Sequence, residues 1–155
     1  MIYSIMSTGY EKDFICQNEY EEPYITIKKK LRKIIWQAFT EGVDSFYVNC
    51  EQGIPLWAAE IICELKQDNN IHLHIVAPYE EQCVNWNENL RDRYYAVHQQ
   101  ADTVEFAEKQ QSPDSYKFAD EIMSKKSDKV YIFDNRTDTI ANTYIAKANV
   151  IWFNI

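Results

Sequence analysis

The chain has 155 residues, of which 46% are hydrophobic and 26% charged, and its formal net charge is −8. This length and composition predict one folded domain over residues 1–155 and exclude a disordered chain. The acidic charge argues against broad nucleic-acid binding, and no stretch approaches the roughly 20 apolar residues of a membrane span, so we expect neither partner.

Predicted strands and helices alternate along the chain. The strands are predicted at residues 2–6, 45–49, 71–77, 103–106, 129–133 and 150–153. The helices are predicted at residues 25–40, 56–66, 87–101, from a cap at Ser112 or Asp114 to residue 126, and 140–148. Such alternation is typical of a mostly parallel sheet covered by helices. The sequence therefore predicts an α/β fold, a single-domain Rossmann-like three-layer structure.

One basic cluster, at residues 28–33, lies within the predicted helix 25–40. Apolar residues fall on one side of this helix at helical spacing, which leaves the lysines on the opposite side. We interpret the cluster as a solvated helix face, with a weak anion-binding or nucleic-acid patch as the alternative.

The four cysteines, Cys16, Cys50, Cys63 and Cys83, form no C-x-x-C pair, and no apolar segment of signal-peptide type precedes them. Reduced thiols and a cytoplasmic location are therefore expected. His72 and His74 alternate along a predicted strand and point to one face, but no third ligand accompanies them, so we predict no metal site.

The segment 45–60 joins an apolar strand to a helix through a loop with one glycine, Gly53. A helix that begins after a strand directs unpaired amides and its positive dipole end toward one point, where an anion can bind. In a Rossmann-like sheet the loops at 7–10, 50–53, 78–82 and 134–139 converge at the carboxyl ends of the strands. Only three glycines occur in the chain, which excludes a Gly-rich phosphate loop.

These loops together resemble the SLOG superfamily, and within it the YpsA-like branch. Residues 53–60, Gly-Ile-Pro-Leu-Trp-Ala-Ala-Glu, are similar to that branch's Gly-x-x-x-Trp-x-Ala-Glu segment, and Thr8-Gly9 is similar to its Thr-Gly after the first strand. Residues 77–82, Ala-Pro-Tyr-Glu-Glu-Gln, followed by Trp86, resemble its Pro-Phe-x-x-Gln segment and nearby tryptophan. The resemblance covers nearly the whole chain.

The resemblance implies a nucleotide-binding site, since SLOG proteins bind nucleotides, nucleotide-derived ligands or, in the DprA branch, single-stranded DNA. This chain departs from the family at three points. Its second loop keeps one glycine, Gly53, and carries Glu51 close to any phosphate; its last loop has no glycine; and Ala119-Asp120 stand where many relatives have an Arg-Asn pair. The Pro-Gly-Gly-x-Gly-Thr signature of the LOG phosphoribohydrolases is also absent. We therefore expect no catalytic residue and no cofactor, and a binding role rather than cleavage.

The expected ligand is a nucleotide-derived small molecule, such as an ADP-ribose-like or cyclic signalling nucleotide, and sequestration by a phage protein is one role that the resemblance implies. The candidate ligand-binding residues are Thr8, Gly9, Tyr10, Glu51, Gly53, Trp57, Glu60, Pro78, Tyr79, Trp86, Arg136 and Thr137. For Trp57 and Trp86 the alternative is core packing. Two other functions stay open: a nucleotide hydrolase that uses Glu60 or Glu51, and a DprA-like interaction module. A homo-oligomer is expected, because SLOG relatives often pair through helices.

Overall fold

Six strands form one sheet in the computed structural model, which describes residues 1–8, 19–134 and 149–154. The strands are β1 (Ile2–Thr8), β2 (Ser45–Val48), β3 (His72–Tyr79), β4 (Thr103–Glu108), β5 (Lys129–Asp134) and β6 (Val150–Asn154). Every neighbouring pair is parallel, and the order is β4-β3-β2-β1-β5-β6. The helices in the described residues are α1 (Tyr24–Thr40), α2 (Ile54–Leu65), α3 (Glu88–Gln100) and α4 (Ser115–Lys126). The predicted Rossmann-like α/β fold is confirmed.

Helices cover both faces of the sheet, because alternate strand residues enter two separate apolar cores. The larger core joins one face of β1, β2, β3 and β5 to α1, α2 and α3, with Phe46 and Leu73 fully buried. The smaller core joins the opposite face to α4 through Val76, Ala119 and Met123. Because every pair of strands is parallel, all strand carboxyl ends lie at one edge of the sheet.

Local sequence accounts for where the helices lie. The buried positions of α1 are Ile27, Leu31, Ile35 and Ala38, which repeat at helical spacing as predicted. The α3 helix begins after Asn87, whose side chain accepts a hydrogen bond from the amide of Leu90.

Two local predictions differ from the structure. Pro78 and Tyr79 belong to β3 and not to a loop; Pro78 lies beyond Ile75, the residue that pairs with the end of β2 at Val48, so its missing N–H removes no bond to that strand. Asp114 holds the cap position of α4 without a side-chain capping bond. The Ser115 hydroxyl instead accepts from the amide of Ser112. The predicted helix 140–148 lies outside the described residues.

No helix in the part of the chain that the structure describes is long and apolar enough to cross a membrane.

Candidate ligand site at the carboxyl ends of the strands

The strand order reverses beside β1. The chain proceeds from β1 outward to β4 and then continues on the other side of β1 with β5, where Thr8 and Asp134 are the last paired residues. Ligands of open α/β sheets bind at such a reversal. The candidate residues Gly9, Tyr10, Arg136 and Thr137 follow these two strands but lie outside the described residues, as does the side chain of Thr8. Their roles stay predictions.

The corner between β2 and α2 has the sharp backbone that the sequence predicts. Cys50 has φ 59°, and Gly53, with φ 94° and ψ −135°, is the cap residue before α2, which begins at Ile54 and has Pro55 in its first turn. The amide of Leu56 donates to the Glu51 carbonyl, while Pro55 has no amide to offer. The first turn of α2 therefore has few amides left for an anion, in contrast to the generic helix terminus.

The Glu51 side chain lies against the amides of its own loop. Its Oε1 accepts from the Gln52 amide at 2.7 Å, and the Glu51 amide donates to Asn49 Oδ1 at 2.9 Å. Tyr116 of α4 also bonds to Glu51, and burial together with this carboxylate raises the pKa of the Tyr116 phenol. The corner thus already contains the Glu51 carboxylate, which repels a phosphate at that position.

A cavity of about 630 Å³ opens at the carboxyl ends of β3 and β4, and we call it the strand-end cavity. Its lining residues are Gln52, Tyr79, Glu80, Glu81, Gln82, Val84, Asn85, Trp86, Lys109, Gln110 and Gln111. Tyr79 and Trp86 supply aromatic surface, and most of the remaining lining is polar. Two candidate residues, Tyr79 and Trp86, therefore share one cavity.

Gln82 is the most constrained polar residue of this cavity, with only 3% of its surface exposed. Its Nε2 donates to the Asn49 carbonyl at 3.0 Å and lies 3.5 Å from the Tyr116 hydroxyl. Its Oε1 is buried and has no hydrogen-bond partner among the described residues. A buried acceptor in this state is costly, and a ligand donor would satisfy it.

Trp57 and Glu60 lie in a different place, on α2 where it meets Lys28 of α1 and Arg93 of α3. Trp57 is buried, and its Nε1 donates to Glu19 Oε1 at 3.2 Å. Arg93 bonds both oxygens of Glu19 at 2.8 Å and both oxygens of Glu60 at 2.7 and 3.1 Å. Burial alone would raise the pKa of the Glu19 carboxyl, but the bonds and charges of Arg93 and Lys28 hold it below its ordinary value.

A second cavity, of about 410 Å³, adjoins this network, and we call it the helix-side cavity. Its lining residues are Tyr20, Lys28, Lys29, Arg32, Trp57, Glu60, Ile61 and Arg93. The structure thus divides the predicted single cleft: Trp57 and Glu60 line this cavity, while Tyr79 and Trp86 line the strand-end cavity. Pro78 is buried in β3, next to Tyr79.

Sequence reasoning missed Gln82 and Arg93 as candidate residues. Gln82 carried a signal, since it ends the Pro-Phe-x-x-Gln-like segment that includes Tyr79. Arg93 carried none, because its partners Glu19 and Glu60 lie 74 and 33 residues away along the chain.

The buried thiols of Cys50 and Cys63 are poorly suited to act as nucleophiles. Cys50 is fully buried, and burial raises the pKa of its thiol, which opposes a nucleophilic thiolate. Burial likewise raises the pKa of Cys63 to about 11. No group of three or more His, Cys, Asp or Glu side chains is arranged to hold a metal ion within residues 1–8, 19–134 and 149–154.

Comparison with known proteins supplies the family. The model of the YspA SLOG family matches residues 5–151. The UPF0398 protein BH1768 of Halalkalibacterium halodurans is 32% identical over 128 residues, which cover 80% of this chain and 68% of that protein. The UPF0398 protein SaurJH9_1506 of Staphylococcus aureus strain JH9 is 26% identical over 143 residues, covering 89% of this chain and 76% of that protein. The chain belongs to the YspA SLOG family.

Proposed function

We propose that this protein binds a nucleotide-derived small molecule at the carboxyl edge of its sheet and does not cleave it. The observation that carries the proposal is the strand-end cavity, where the rings of Tyr79 and Trp86 accompany a buried Gln82 acceptor that has no partner among the residues the structure describes. Aromatic rings stack on nucleobases, and a few convergent polar groups orient a ligand within a concave site. Binding would satisfy Gln82.

Binding is favoured over hydrolysis by the hydrogen bonds of the two carboxylates that a hydrolase would use. Both Glu60 oxygens accept from Arg93, and a Glu51 oxygen accepts from the Gln52 amide. These bonds engage both carboxylates with protein donors, so neither is presented to a ligand as the free group that a hydrolase would use. Hydrolysis therefore ranks second.

We extend this proposal to the biological role, the location and the assembly of the protein. A domain that captures a signalling nucleotide, such as an ADP-ribose-like or cyclic molecule, without cleaving it would act by sequestration. The buried free thiols of Cys50, Cys63 and Cys83 fit a reducing compartment, so we propose a cytoplasmic location. We also propose a homo-oligomer, which light scattering of the purified chain would test.

One experiment tests binding and hydrolysis together. The purified protein is incubated with a panel of nucleotides, ADP-ribose and cyclic nucleotides, and thermal unfolding is followed to find those that stabilise it. Each stabilising complex is then separated from free ligand and heated, and the released molecule is analysed by mass. Intact ligand at one equivalent per site is expected, whereas free base with ribose phosphate would support the hydrolase. If no member of the panel raises the unfolding temperature, the proposal is wrong.

A further inference from the structure

We propose that the strand-end cavity binds the nucleobase of the ligand, that this base carries an exocyclic amino group, and that the phosphates stay outside the cavity. The inference rests on the proposed function and deepens it, because it names which part of a nucleotide each group recognises. It depends on four separate features of the cavity: its primary amides, the Gln82 oxygen that has no partner among the described residues, its charges, and its two aromatic rings.

Primary amides dominate the polar lining of the cavity. They belong to Gln52, Gln82, Asn85, Gln110 and Gln111. A primary amide presents a donor and an acceptor side by side, which is the pattern found on the edge of a nucleobase and is the basis of bidentate recognition by Asn and Gln. Phosphate, in contrast, has acceptors only. The lining therefore matches a flat, neutral group better than an anion.

Gln82 determines that the ligand must bring a hydrogen-bond donor and not an acceptor. Its amide is oriented by the bond from Nε2 to the Asn49 carbonyl, which leaves Oε1 as a fixed acceptor. Only a donor can pair with that oxygen, so the ligand must bring an N–H or O–H group to it. A base with an amino group provides this donor, whereas a base with a carbonyl at the same position would leave two acceptors facing each other.

The charges near the cavity oppose a phosphate. Glu80 and Glu81 line it, with Lys109 as the cation among its lining residues. The Glu51 carboxylate lies close by, since its charge contributes to the raised pKa of Tyr79, after the larger effect of burial. Among the described residues at the cavity, negative charge thus exceeds positive charge, and a phosphate placed there would be repelled by these carboxylates.

Two aromatic side chains of the cavity, Tyr79 and Trp86, also favour a nucleobase. Tyr79 is held edge-on against Tyr116, and Trp86 is held edge-on against Tyr94, with ring centroids 6.3 and 5.3 Å apart. Rings fixed in this way lose little rotational freedom when a ligand stacks on them. Stacking tolerates any base, so the choice among bases falls to the amides and above all to Gln82.

The test compares nucleosides that carry no phosphate and differ in one substituent. Dissociation constants of adenosine and inosine, and of cytidine and uridine, are measured by calorimetry for the wild-type chain. We expect at least one amino-substituted nucleoside to bind roughly tenfold or more tightly than its oxo counterpart, because the oxo group of the counterpart would face the Gln82 oxygen as a second acceptor. Pyrophosphate should not displace the bound nucleoside. Equal affinities within both pairs, or displacement by pyrophosphate, would overturn the assignment.

Two variants test whether Gln82 causes the preference for amino-substituted bases. Gln82→Met removes the amide at similar length and should reduce the preference to within about twofold, while Gln67→Met, an exposed residue at the opposite edge of the sheet, should leave it intact. A preference that survives in a folded Gln82→Met chain contradicts the inference. If that variant does not fold, the wild-type comparison of the nucleoside pairs still decides.

Failure of every nucleotide and nucleoside to bind would remove the proposed function itself. Nucleotides that bind without any preference between amino and oxo bases would remove only this inference.

Discussion

At the scale of single residues, Arg93 organises the helix side of the molecule. Its guanidinium donates four hydrogen bonds to two carboxylates, those of Glu19 and Glu60. Burial opposes its charge, but the bonds from both carboxylates outweigh that cost and raise its pKa. Because Glu19 also accepts from Trp57 and Lys28, one arginine neutralises the centre of a network that joins α1, α2 and α3. Its contribution is to stability.

Loss of Arg93 should therefore destabilise the fold strongly. Arg93→Met leaves Glu19 buried with less compensation, and we expect the free energy of unfolding to fall by about 3 kcal/mol, as for other broken buried ion pairs. Arg32→Met is the matched control, because Arg32 pairs with Glu64 in the same two-bond geometry but at the surface, and should cost less than about 1 kcal/mol. Urea denaturation measures both; equal losses would contradict the role given to Arg93.

Trp86 should contribute directly to ligand affinity. Trp86→Leu removes the stacking surface, and the affinity for the stabilising nucleotide should fall by about 1–3 kcal/mol, or roughly 5- to 150-fold. Trp36→Leu is the control, since Trp36 is 42% exposed on α1 and lies outside the lining of both cavities. Calorimetric titration well below the unfolding temperature separates affinity from stability. Unchanged affinity in Trp86→Leu would show that its role is packing alone.

His98 should make stability sensitive to mild acid. Burial lowers its pKa to about 4, whereas an unfolded histidine has a pKa of about 6.5, so the unfolded state binds more protons between these values. The free energy of unfolding should therefore decrease as the pH falls through this window. His98→Gln should lose less stability than the wild type between about pH 7 and about pH 5. Burial also lowers the pKa of His74, so His74 accounts for part of the pH dependence that remains in the His98→Gln variant. Equal losses in urea denaturation would contradict this account.

At the scale of elements, the corner between β2 and α2 depends on backbone conformation. Gly53 adopts φ 94° and ψ −135°, a region that L-residues rarely occupy, and this allows α2 to begin with only five residues between it and β2. The turn brings Glu51 back onto the loop amide and places Gln52 at the strand-end cavity. One glycine thus determines how strand, loop and cavity meet.

Substitution of this glycine should affect both stability and binding. Gly53→Ala imposes strain of about 1–3 kcal/mol and shifts the loop that carries Gln52. Gly42→Ala is the control, since Gly42 also has positive φ, at 105°, and a Cβ there meets nothing within 4 Å. It lies at the opposite edge of the sheet, before β2. We expect both variants to unfold more easily but only Gly53→Ala to bind the nucleotide more weakly; unchanged affinity in Gly53→Ala would contradict the importance of the corner.

Elements were more predictable than their ends. Periodicity located α1, because its buried residues repeat at helical spacing, and alternation of strand and helix predicted the parallel sheet. The extension of β3 through Pro78 was not predictable from local sequence, since it depends on the pairing of Tyr79 with Glu108 of β4. The cap of α4 was misjudged for a similar reason: Glu108 at the end of β4 accepts from both Ser112 and Ser115, and these bonds replace a cap by Asp114.

At the scale of the whole molecule, the sheet order explains why the candidate residues separate into two groups. Strand carboxyl ends meet at one edge, so Tyr79 and Trp86 reach the strand-end cavity, whereas Trp57 and Glu60 lie along α2 and face the neighbouring helices. The sequence motif suggested one site for these four residues, because a motif does not show toward which neighbour a residue on a helix faces. Arg93, which fixes the rotation of α2 by its bond to Glu60, belongs to another helix.

The most direct measurement of the central claim is a crystal structure of the protein with the nucleotide that stabilises it most. We predict an intact ligand whose base stacks on Tyr79 or Trp86, with an amino nitrogen about 3 Å from Gln82 Oε1. Phosphates should lie away from Glu51. A ligand bound in the helix-side cavity between Trp57 and Arg93, or a base without contact to Gln82, would contradict the account.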